Sequence, residues 1–278
     1  MNVALRFLCY GAIGYGALVV AAYLWQQQMM YFPDREKPLE SHVRAVGLRF
    51  WADSGDAYRG VTGIAPPAGK KGLVVAFHGN AGGAWDRTYY VNALAPLGYR
   101  VVIAEYPGYG GRPGKLGERH FVEDAKETVR RAYEEFGGPV FLWGESLGGG
   151  VASAIAADPP VPVAGVVMIT PWDSLPDLAQ TLYWYFPARW LVRDKYNNIR
   201  NLQAYDKPVA VVLAERDEII PQKRSMQLYE SLTAPKRLWV LEGAGHNSWP
   251  AGPNEAWWRE VMDFVSAKQD KRGAGSEI

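Results

Sequence analysis

Residues 140–150 read VFLWGESLGGG, an apolar run that leads into a glycine-bounded turn with Ser146 at its tip. The pattern predicts a short strand, a tight elbow and then a helix. Glycines on both sides let neighbouring backbone pass without a Cβ clash, and the helix start directs backbone N–H groups at a reacting oxygen. We therefore predict Ser146 as a catalytic nucleophile; the alternative is a close-packed strand-to-helix turn without a catalytic role.

A nucleophilic serine needs a base to take its proton, and histidine commonly fills that role. The chain has four histidines. His246 lies in a glycine-rich loop directly after the apolar run 237–241, from which it can reach a nucleophile on the same sheet edge. The others lie in an exposed stretch, at a strand end and at a helix start: His42, His78 and His120. His246 is the predicted base, and a solvated loop histidine is the alternative.

The base in turn needs a carboxylate that fixes its tautomer and stabilises its charged form. Asp217 follows the buried apolar run 209–213 by a few residues, where a carboxylate can meet the histidine loop. Asp173 follows the preceding predicted strand and competes for the same role. Glu215 and Glu218 are interpreted as solvated loop charges. Asp217 is therefore the predicted acid, with Asp173 as the alternative.

Acyl transfer also needs hydrogen-bond donors aimed at the developing oxyanion. An apolar run ends in HGNAGG at residues 78–83, which can offer a backbone N–H beside the elbow. The backbone N–H groups of Asn80 and Leu147 are the predicted pair, with Ala81 as the alternative to Asn80. His78 is interpreted as a structural residue that braces this loop.

Four stretches together resemble the α/β-hydrolase family, and within it the single-pass, membrane-anchored serine hydrolases with a small lid. They are FHGNAG at 77–82, EYPGYG at 105–110, the elbow, and ERD at 215–217 with GH at 245–246. The resemblance implies the same triad and the same oxyanion donors. Relatives often carry Asp and Arg where this chain has Glu105 and Pro107, a departure outside the triad. The family is known for ester, thioester and sometimes peptide-bond hydrolysis, so the resemblance predicts reaction class better than substrate.

The rest of the chain predicts an α/β fold independently. Continuous apolar runs alternate with helical patterns, which is typical of a mostly parallel central sheet with helices on both faces. The predicted strands are 73–77, 99–104, 139–143, 163–169, 208–213 and 237–241, with an antiparallel hairpin at one edge within 43–64. The clearest helix is 118–136, whose apolar face is Phe121, Val122, Ala125, Val129, Ala132 and Tyr133. Ligands bind at the carboxyl ends of such strands, where every candidate residue falls.

Composition limits the functions to consider. The 278 residues carry 30 basic and 29 acidic side chains, and these are well mixed along the chain. This distribution does not indicate the basic surface that nucleic-acid-binding proteins use. The single cysteine, Cys9, lies in the N-terminal apolar segment, so no disulfide framework is expected. No cluster has metal-ligand spacing and no phosphate-binding glycine motif is present, so we predict no metal and no cofactor. The charged segment 268–278 is expected to be a flexible tail.

The N-terminal segment predicts a membrane anchor. Phe7–Trp25 contains no charged residue, and a helix of this length spans about 28 Å, close to the hydrocarbon thickness of a bilayer. We predict a single-pass anchor over 1–30 and a catalytic domain over 31–267. Arg6 and the amino terminus favour the cytoplasmic side, which places the catalytic domain outside the cytoplasm. A cleaved signal peptide is the alternative.

Residues 172–205 connect two predicted strands and are rich in aromatic side chains. They form either a small cap that lines an acyl pocket or one helix packed on the sheet with loop around it. We predict a serine hydrolase that cleaves carboxylic esters of small or lipid-like substrates through an acyl-enzyme. An acyl-protein thioesterase or a serine peptidase could use the same triad. A non-catalytic, membrane-tethered binding protein is the alternative from another class.

Overall fold

The structure, a computed structural model, describes residues 2–52 and 58–267. Its strands are β1 (Phe32–Pro33), β2 (Leu48–Trp51), β3 (Gly60–Gly63), β4 (Gly72–Phe77), β5 (Ala81–Gly82), β6 (Tyr99–Ala104), β7 (Val140–Glu145), β8 (Val163–Ile169), β9 (Val209–Ala214) and β10 (Lys236–Leu241). Its helices are α1 (Val3–Met30), α2 (Glu40–Ala45), α3 (Thr88–Leu94), α4 (Glu118–Phe136), α5 (Leu147–Ala157), α6 (Leu175–Leu182), α7 (Ala188–Leu191), α8 (Asn198–Leu202), α9 (Gln222–Ser231) and α10 (Ala256–Ser266). The segment 268–278, expected to be a flexible tail, lies outside the described residues.

The central sheet has eight strands in the order β10-β9-β8-β7-β4-β6-β3-β2. Strand β3 runs antiparallel to both of its neighbours, whereas every other neighbouring pair is parallel. The apolar runs are continuous because strands such as β7 and β9 are buried along their whole length. The predicted α/β fold, with a mostly parallel sheet and an antiparallel hairpin at one edge, is confirmed.

Hydrophobic cores lie on both faces of the sheet, and successive side chains of each strand alternate between them. Along β4, Val75 and Phe77 face a core that contains residues of α4 and α5. Val74 and Ala76 face the other core, which contains residues of α3 and α10. Helices therefore cover both faces of the sheet, as predicted.

Helix α4 has the predicted bounds, but its buried face is rotated slightly from the predicted one. Thr128 is buried although it was not predicted, whereas Val122 is partly exposed and Tyr133 is 37% exposed. Buried positions follow a narrow stripe at i, i+4, i+7, i+8 and i+11. Val122 and Tyr133 lie at the margins of that stripe, where the helix surface turns towards solvent.

Helix α1 is continuous over 28 residues and is the one helix among the described residues that is long and apolar enough to cross a membrane. At 1.5 Å per residue its length is about 42 Å. The chain leaves α1 through Tyr31, which is buried, and enters β1. Strand β1 pairs in parallel with β5 in a separate two-stranded sheet. The end of α1 is thereby joined to the loop that follows β4.

Candidate active site

Ser146 lies at the sharp turn between β7 and α5. Its backbone has φ 51° and ψ −112°, a conformation that residues with a side chain rarely adopt. The turn also requires close backbone contacts, since a Cβ on Gly148 would lie 2.0 Å from the carbonyl oxygen of Phe77. The structure therefore contains the strained elbow that the glycine-bounded serine predicted.

The structure brings the predicted nucleophile, base and acid together. The Oγ of Ser146 lies 3.0 Å from Nε2 of His246. The Nδ1 of His246 lies 2.8 Å and 3.0 Å from the two carboxylate oxygens of Asp217. The His246 and Asp217 side chains are only 6% and 4% exposed. In the tautomer with Nδ1–H donating to Asp217, Nε2 is free to accept the serine proton.

The carboxylate of Asp217 is fixed by the backbone of the turn that follows β9. Its Oδ1 accepts hydrogen bonds from the backbone N–H groups of Ile219, at 3.0 Å, and Ile220, at 2.7 Å. Hydrogen bonds to an ionised carboxylate are stronger than those between neutral groups. They hold Asp217 in the orientation in which its oxygens meet the imidazole of His246.

Asp173, the alternative acid, has different partners. It accepts a hydrogen bond from Nη1 of Arg224 at 2.7 Å and another from the backbone N–H of Ser174 at 2.7 Å. Burial raises the pKa of the Asp173 carboxyl although Arg224 opposes that shift. Both of its carboxylate oxygens are engaged by these partners, and the carboxylate that meets His246 is that of Asp217. Asp173 instead connects the segment after β8 to helix α9.

The loop that carries His246 is held by the two glutamates that the sequence suggested were only solvated charges. Glu218 accepts a hydrogen bond from the backbone N–H of His246 at 3.0 Å, and this bond lowers the pKa of the Glu218 carboxyl. Glu215 accepts one from the backbone N–H of Gly243 at 2.7 Å. Both side chains are exposed. Their position beside Asp217 in the sequence was the available signal for this bracing role.

The two predicted oxyanion donors lie on the same cavity as Ser146. Leu147 is the first residue of α5, so its backbone N–H is among those without an acceptor inside the helix. Asn80 lies in the loop between β4 and β5. Both residues line the cavity, as does Ala81, the alternative to Asn80.

The loop around Asn80 is tied to the end of α1, a connection that the sequence did not reveal. The Asn80 side-chain amide donates to the carbonyl oxygen of Met30 at 2.9 Å. The Asn80 carbonyl accepts hydrogen bonds from the backbone N–H of Phe32, at 2.9 Å, and from the hydroxyl of Tyr109, at 2.7 Å. Since the carbonyl and the side chain are used in these contacts, the backbone N–H is the group of Asn80 that remains for an oxyanion.

His78 lies at the start of the same loop, and both of its ring nitrogens have a partner. Its Nε2 is 3.0 Å from Oε1 of Glu105, and its Nδ1 is 2.8 Å from the carbonyl oxygen of Gly79. Both side chains are fully buried. Glu105 also accepts a hydrogen bond from the backbone N–H of Ala84 at 2.9 Å. This pair braces the loop from inside the domain.

Ser146 and His246 open onto a cavity of about 400 Å³. Most of its wall is apolar, and much of it comes from residues 172–205, the cap, which contains α6, α7 and α8. The cap residues on the cavity are Trp172, Leu175, Leu178, Ala179, Leu182, Tyr183, Tyr185, Phe186, Ala188, Leu191 and Val192. Trp184 and Trp190 are instead 77% and 79% exposed, so the aromatic side chains of the cap do not all pack on the sheet. This geometry favours the cap over the single packed helix.

No group of three or more histidine, cysteine or carboxylate side chains within the described ranges is arranged to hold a metal ion.

Similarity to known proteins agrees with this fold. A family described as serine aminopeptidase, S33, matches residues 68–200, a segment that contains Ser146 and ends before Asp217. The uncharacterized protein Rv2307c of Mycobacterium tuberculosis is 32% identical over 240 residues, which cover 82% of this chain and 83% of that protein. The esterase Pf2001 of Pyrococcus furiosus superposes with a TM-score of 0.64 at 18% identity, covering 85% of this chain and 96% of the esterase.

A further relative is lysophosphatidylserine lipase ABHD12 of Macaca fascicularis, which is 30% identical over 189 residues. The alignment covers 61% of this chain and 47% of the lipase, so the chain spans about half the length of that relative. The chain belongs to the α/β-hydrolase family.

Proposed function

We propose that this protein is a membrane-anchored serine hydrolase that cleaves acyl esters through an acyl-enzyme. The observation that carries the proposal is the hydrogen-bond chain from Asp217 through His246 to Ser146, which opens onto an apolar cavity. A buried Asp–His pair within hydrogen-bond reach of a serine on a strained elbow is the arrangement that activates a serine hydroxyl.

In the proposed reaction, Nε2 of His246 takes the Ser146 proton as Oγ attacks the acyl carbonyl carbon. The backbone N–H groups of Asn80 and Leu147 donate to the oxyanion, and Asp217 stabilises the imidazolium. His246 then returns the proton to the leaving alkoxide, which departs as an alcohol and leaves the acyl group on Ser146. A water molecule, deprotonated by the same imidazole, attacks the acyl carbonyl carbon. The bond to Ser146 Oγ then breaks, His246 returns the proton to Oγ, and the carboxylic acid is released.

The cavity wall favours an acyl chain over a peptide amine. An aminopeptidase must bind a substrate ammonium group, and burying an unpaired charge costs several kcal/mol. No carboxylate occurs among the described residues that line this cavity. We therefore favour ester cleavage, although the family description names an aminopeptidase. The lipase and esterase names of two similar proteins agree with this choice.

We further propose that α1 is a retained single-pass anchor. In this division residues 1–30 form the anchor, 31–267 the catalytic domain and 172–205 its cap. Residues of α1 and of the cap line the same cavity, which supports retention, because removal of the helix would leave the cavity open on that side. Arg6 favours an amino terminus in the cytoplasm and a catalytic domain on the opposite side.

Labelling with a fluorophosphonate probe tests the proposed function. The detergent-solubilised parent should be labelled, whereas Ser146→Ala and His246→Ala should not. Matched oxygen esters, thioesters and amino-acid amides then separate the three hydrolytic activities, and oxygen esters should give the highest kcat/KM. A folded parent that reacts with neither the probe nor any of these substrates would favour the non-catalytic binding protein instead.

A further inference from the structure

One side of the cavity beside Ser146 is formed by the N-terminal helix rather than by the catalytic domain or its cap. Four residues of α1 line the cavity: Ala22, Gln26, Met29 and Met30. Their spacing of i, i+4, i+7 and i+8 places them on one face of the helix. The helix that was predicted only as an anchor therefore supplies a continuous strip of the wall.

This strip leads away from the reacting atoms. Its near end is fixed at the catalytic centre, because the carbonyl oxygen of Met30 accepts a hydrogen bond from the side chain of Asn80 at 2.9 Å. Its far end is Ala22, eight residues earlier, which corresponds to about 12 Å along the helix axis. An acyl chain attached to Ser146 and lying along α1 would therefore pass Met30 first and reach Ala22 last.

The helix is held on the cap by hydrogen bonds that fix its distance from the opposite wall. The side-chain amide of Gln26 donates to the carbonyl oxygen of Leu191 at 3.2 Å and accepts from the backbone N–H of Arg193 at 2.7 Å. The guanidinium of Arg193 also lies 4.4 Å from the ring centre of Tyr23. With its amide bound to the cap backbone, Gln26 acts as a bridge, and the wall keeps its position relative to the cap.

We infer that α1 is a specificity-determining part of the active site, and that Ala22 limits the length of the acyl chain that the pocket accepts. The inference rests on the proposed function, because it concerns the acyl group that Ser146 would receive. The small side chain of Ala22 leaves room at the far end of the cavity. A larger side chain at this position would close that room without contacting the triad.

The experiment compares Ala22→Phe and the smaller change Ala22→Val with the parent, using the full chain in phospholipid nanodiscs. Ala17→Phe is the matched control, because Ala17 lies on the same helix, is exposed and does not line the cavity. At 100° per residue, Ala17 points about 140° away from Ala22. Each protein is assayed by phosphonylation with ethyl and dodecyl fluorophosphonates and by hydrolysis of acetyl and dodecanoyl p-nitrophenyl esters.

For Ala22→Phe we expect the rate constants with the dodecyl probe and the dodecanoyl ester to fall by about tenfold or more. Each methylene excluded from an apolar site costs about fourfold in binding, so two or three excluded methylenes suffice. Rates with the two-carbon reagents should change by less than about twofold on the same scale. Ala22→Val should lie between the parent and Ala22→Phe, and Ala17→Phe should match the parent.

The fluorophosphonates and the esters together distinguish failure of this inference from failure of the proposed function. If the parent hydrolyses esters but Ala22→Phe and Ala17→Phe keep the chain-length preference of the parent, the inference is wrong and the function stands. If the parent reacts with the phosphonates but with no ester, the function is wrong, and the phosphonylation rates still decide the inference. A folded parent that reacts with neither probe overturns both.

Discussion

Asp217 and Asp173 occupy similar places in the sequence, each a few residues beyond a buried strand, yet their surroundings give them different chemistry. Asp217 contacts a histidine and two backbone N–H groups. Asp173 contacts Arg224, which already satisfies its charge. A carboxylate engaged by a guanidinium stabilises the local structure, whereas one that faces an imidazole can stabilise the positive charge that forms during catalysis.

We predict that Asp217→Asn lowers kcat by roughly 10³- to 10⁴-fold, because an amide cannot stabilise the imidazolium and favours the wrong tautomer of His246. The amide oxygen of asparagine can still accept from Ile219 and Ile220, so the turn should keep its structure. Initial rates on a short-chain ester, together with the midpoint of thermal unfolding, measure the two effects separately.

Asp173→Asn is the matched comparison for this prediction. It should lower the midpoint of thermal unfolding, because the substitution weakens a largely buried contact with Arg224. The kcat of the folded fraction should change far less than in Asp217→Asn. If the two results were reversed in folded proteins, Asp173 would be the triad acid.

The candidate catalytic side chains could be predicted from the sequence, but the groups that position them could not. The serine, histidine and aspartate could be chosen because each follows a predicted strand, and parallel strands bring their carboxyl ends to one edge. The contact between Asn80 and Met30 could not be predicted in this way, since it joins residues 50 positions apart through a backbone carbonyl. No side-chain pattern marks a carbonyl oxygen as a partner.

The elbow between β7 and α5 shows how closely a strand and a helix must approach each other. Glycines follow Leu147 at the next three positions of helix α5, and they are not equivalent. A Cβ on Gly148 would meet the backbone carbonyl oxygen of Phe77 at 2.0 Å, whereas a Cβ on Gly149 would first meet the terminal methyl group of Met168 at 3.2 Å. The backbone of β4 cannot move aside without disturbing the sheet, but a methionine side chain can adjust.

We predict that Gly148→Ala destabilises the protein by about 2 kcal/mol or more, because the added methyl group forces a backbone shift in the core. Gly149→Ala should be close to neutral, since a gain in helix propensity of up to about 1 kcal/mol offsets a tight contact. Urea unfolding of the two variants measures the difference. Equal stability of the two variants would contradict the packing described for the elbow.

The internal elements of the domain were more predictable than the way the outer ones pack. The strands and α4 could be identified because burial imposes a regular spacing on their apolar residues. Residues 172–205 gave two interpretations, since their aromatic side chains fit either a cap or a packed helix. Which of the two structures forms depends on α1, which lies on the cap. Because α1 and the cap are far apart in the sequence, their contact leaves no periodic pattern in either segment.

The length of α1 and its contacts with the cap together limit how the protein could sit in a bilayer if α1 is the proposed anchor. The hydroxyl of Tyr15 donates to the carbonyl oxygen of Tyr185 at 2.8 Å, and its ring stacks on Phe186. The part of α1 before Tyr15, residues 3–14, is about 18 Å long, whereas the hydrocarbon core is about 30 Å thick. A helix that crosses the bilayer must therefore carry this part of the cap below the membrane surface.

The exposed surface of the cap is suited to contact with a membrane. Trp184 and Trp190 are 77% and 79% exposed, and Tyr185 is also exposed. Large aromatic side chains are costly to leave in water but are favoured near the boundary between hydrocarbon and headgroups. Immersion of the cap would also bring the cavity between α1 and the cap next to the acyl chains of the lipids. Anchor and cap would then act as one membrane-facing unit.

We predict that Trp184 and Trp190, the exposed tryptophans of the cap, are quenched by phospholipids brominated on their acyl chains when the full chain is reconstituted in vesicles. In the double variant Trp184→Phe, Trp190→Phe, the quenched part of the fluorescence should fall by more than half, because only Trp25 then remains of the three exposed tryptophans among the described residues. Trp239→Phe is the control, since this buried residue lies on β10, outside α1 and the cap, and its loss should not reduce quenching. If the quenched part of the fluorescence were as large in the double variant as in the parent, the cap would stay in water. In that case α1 would have to separate from the cap in order to span the bilayer.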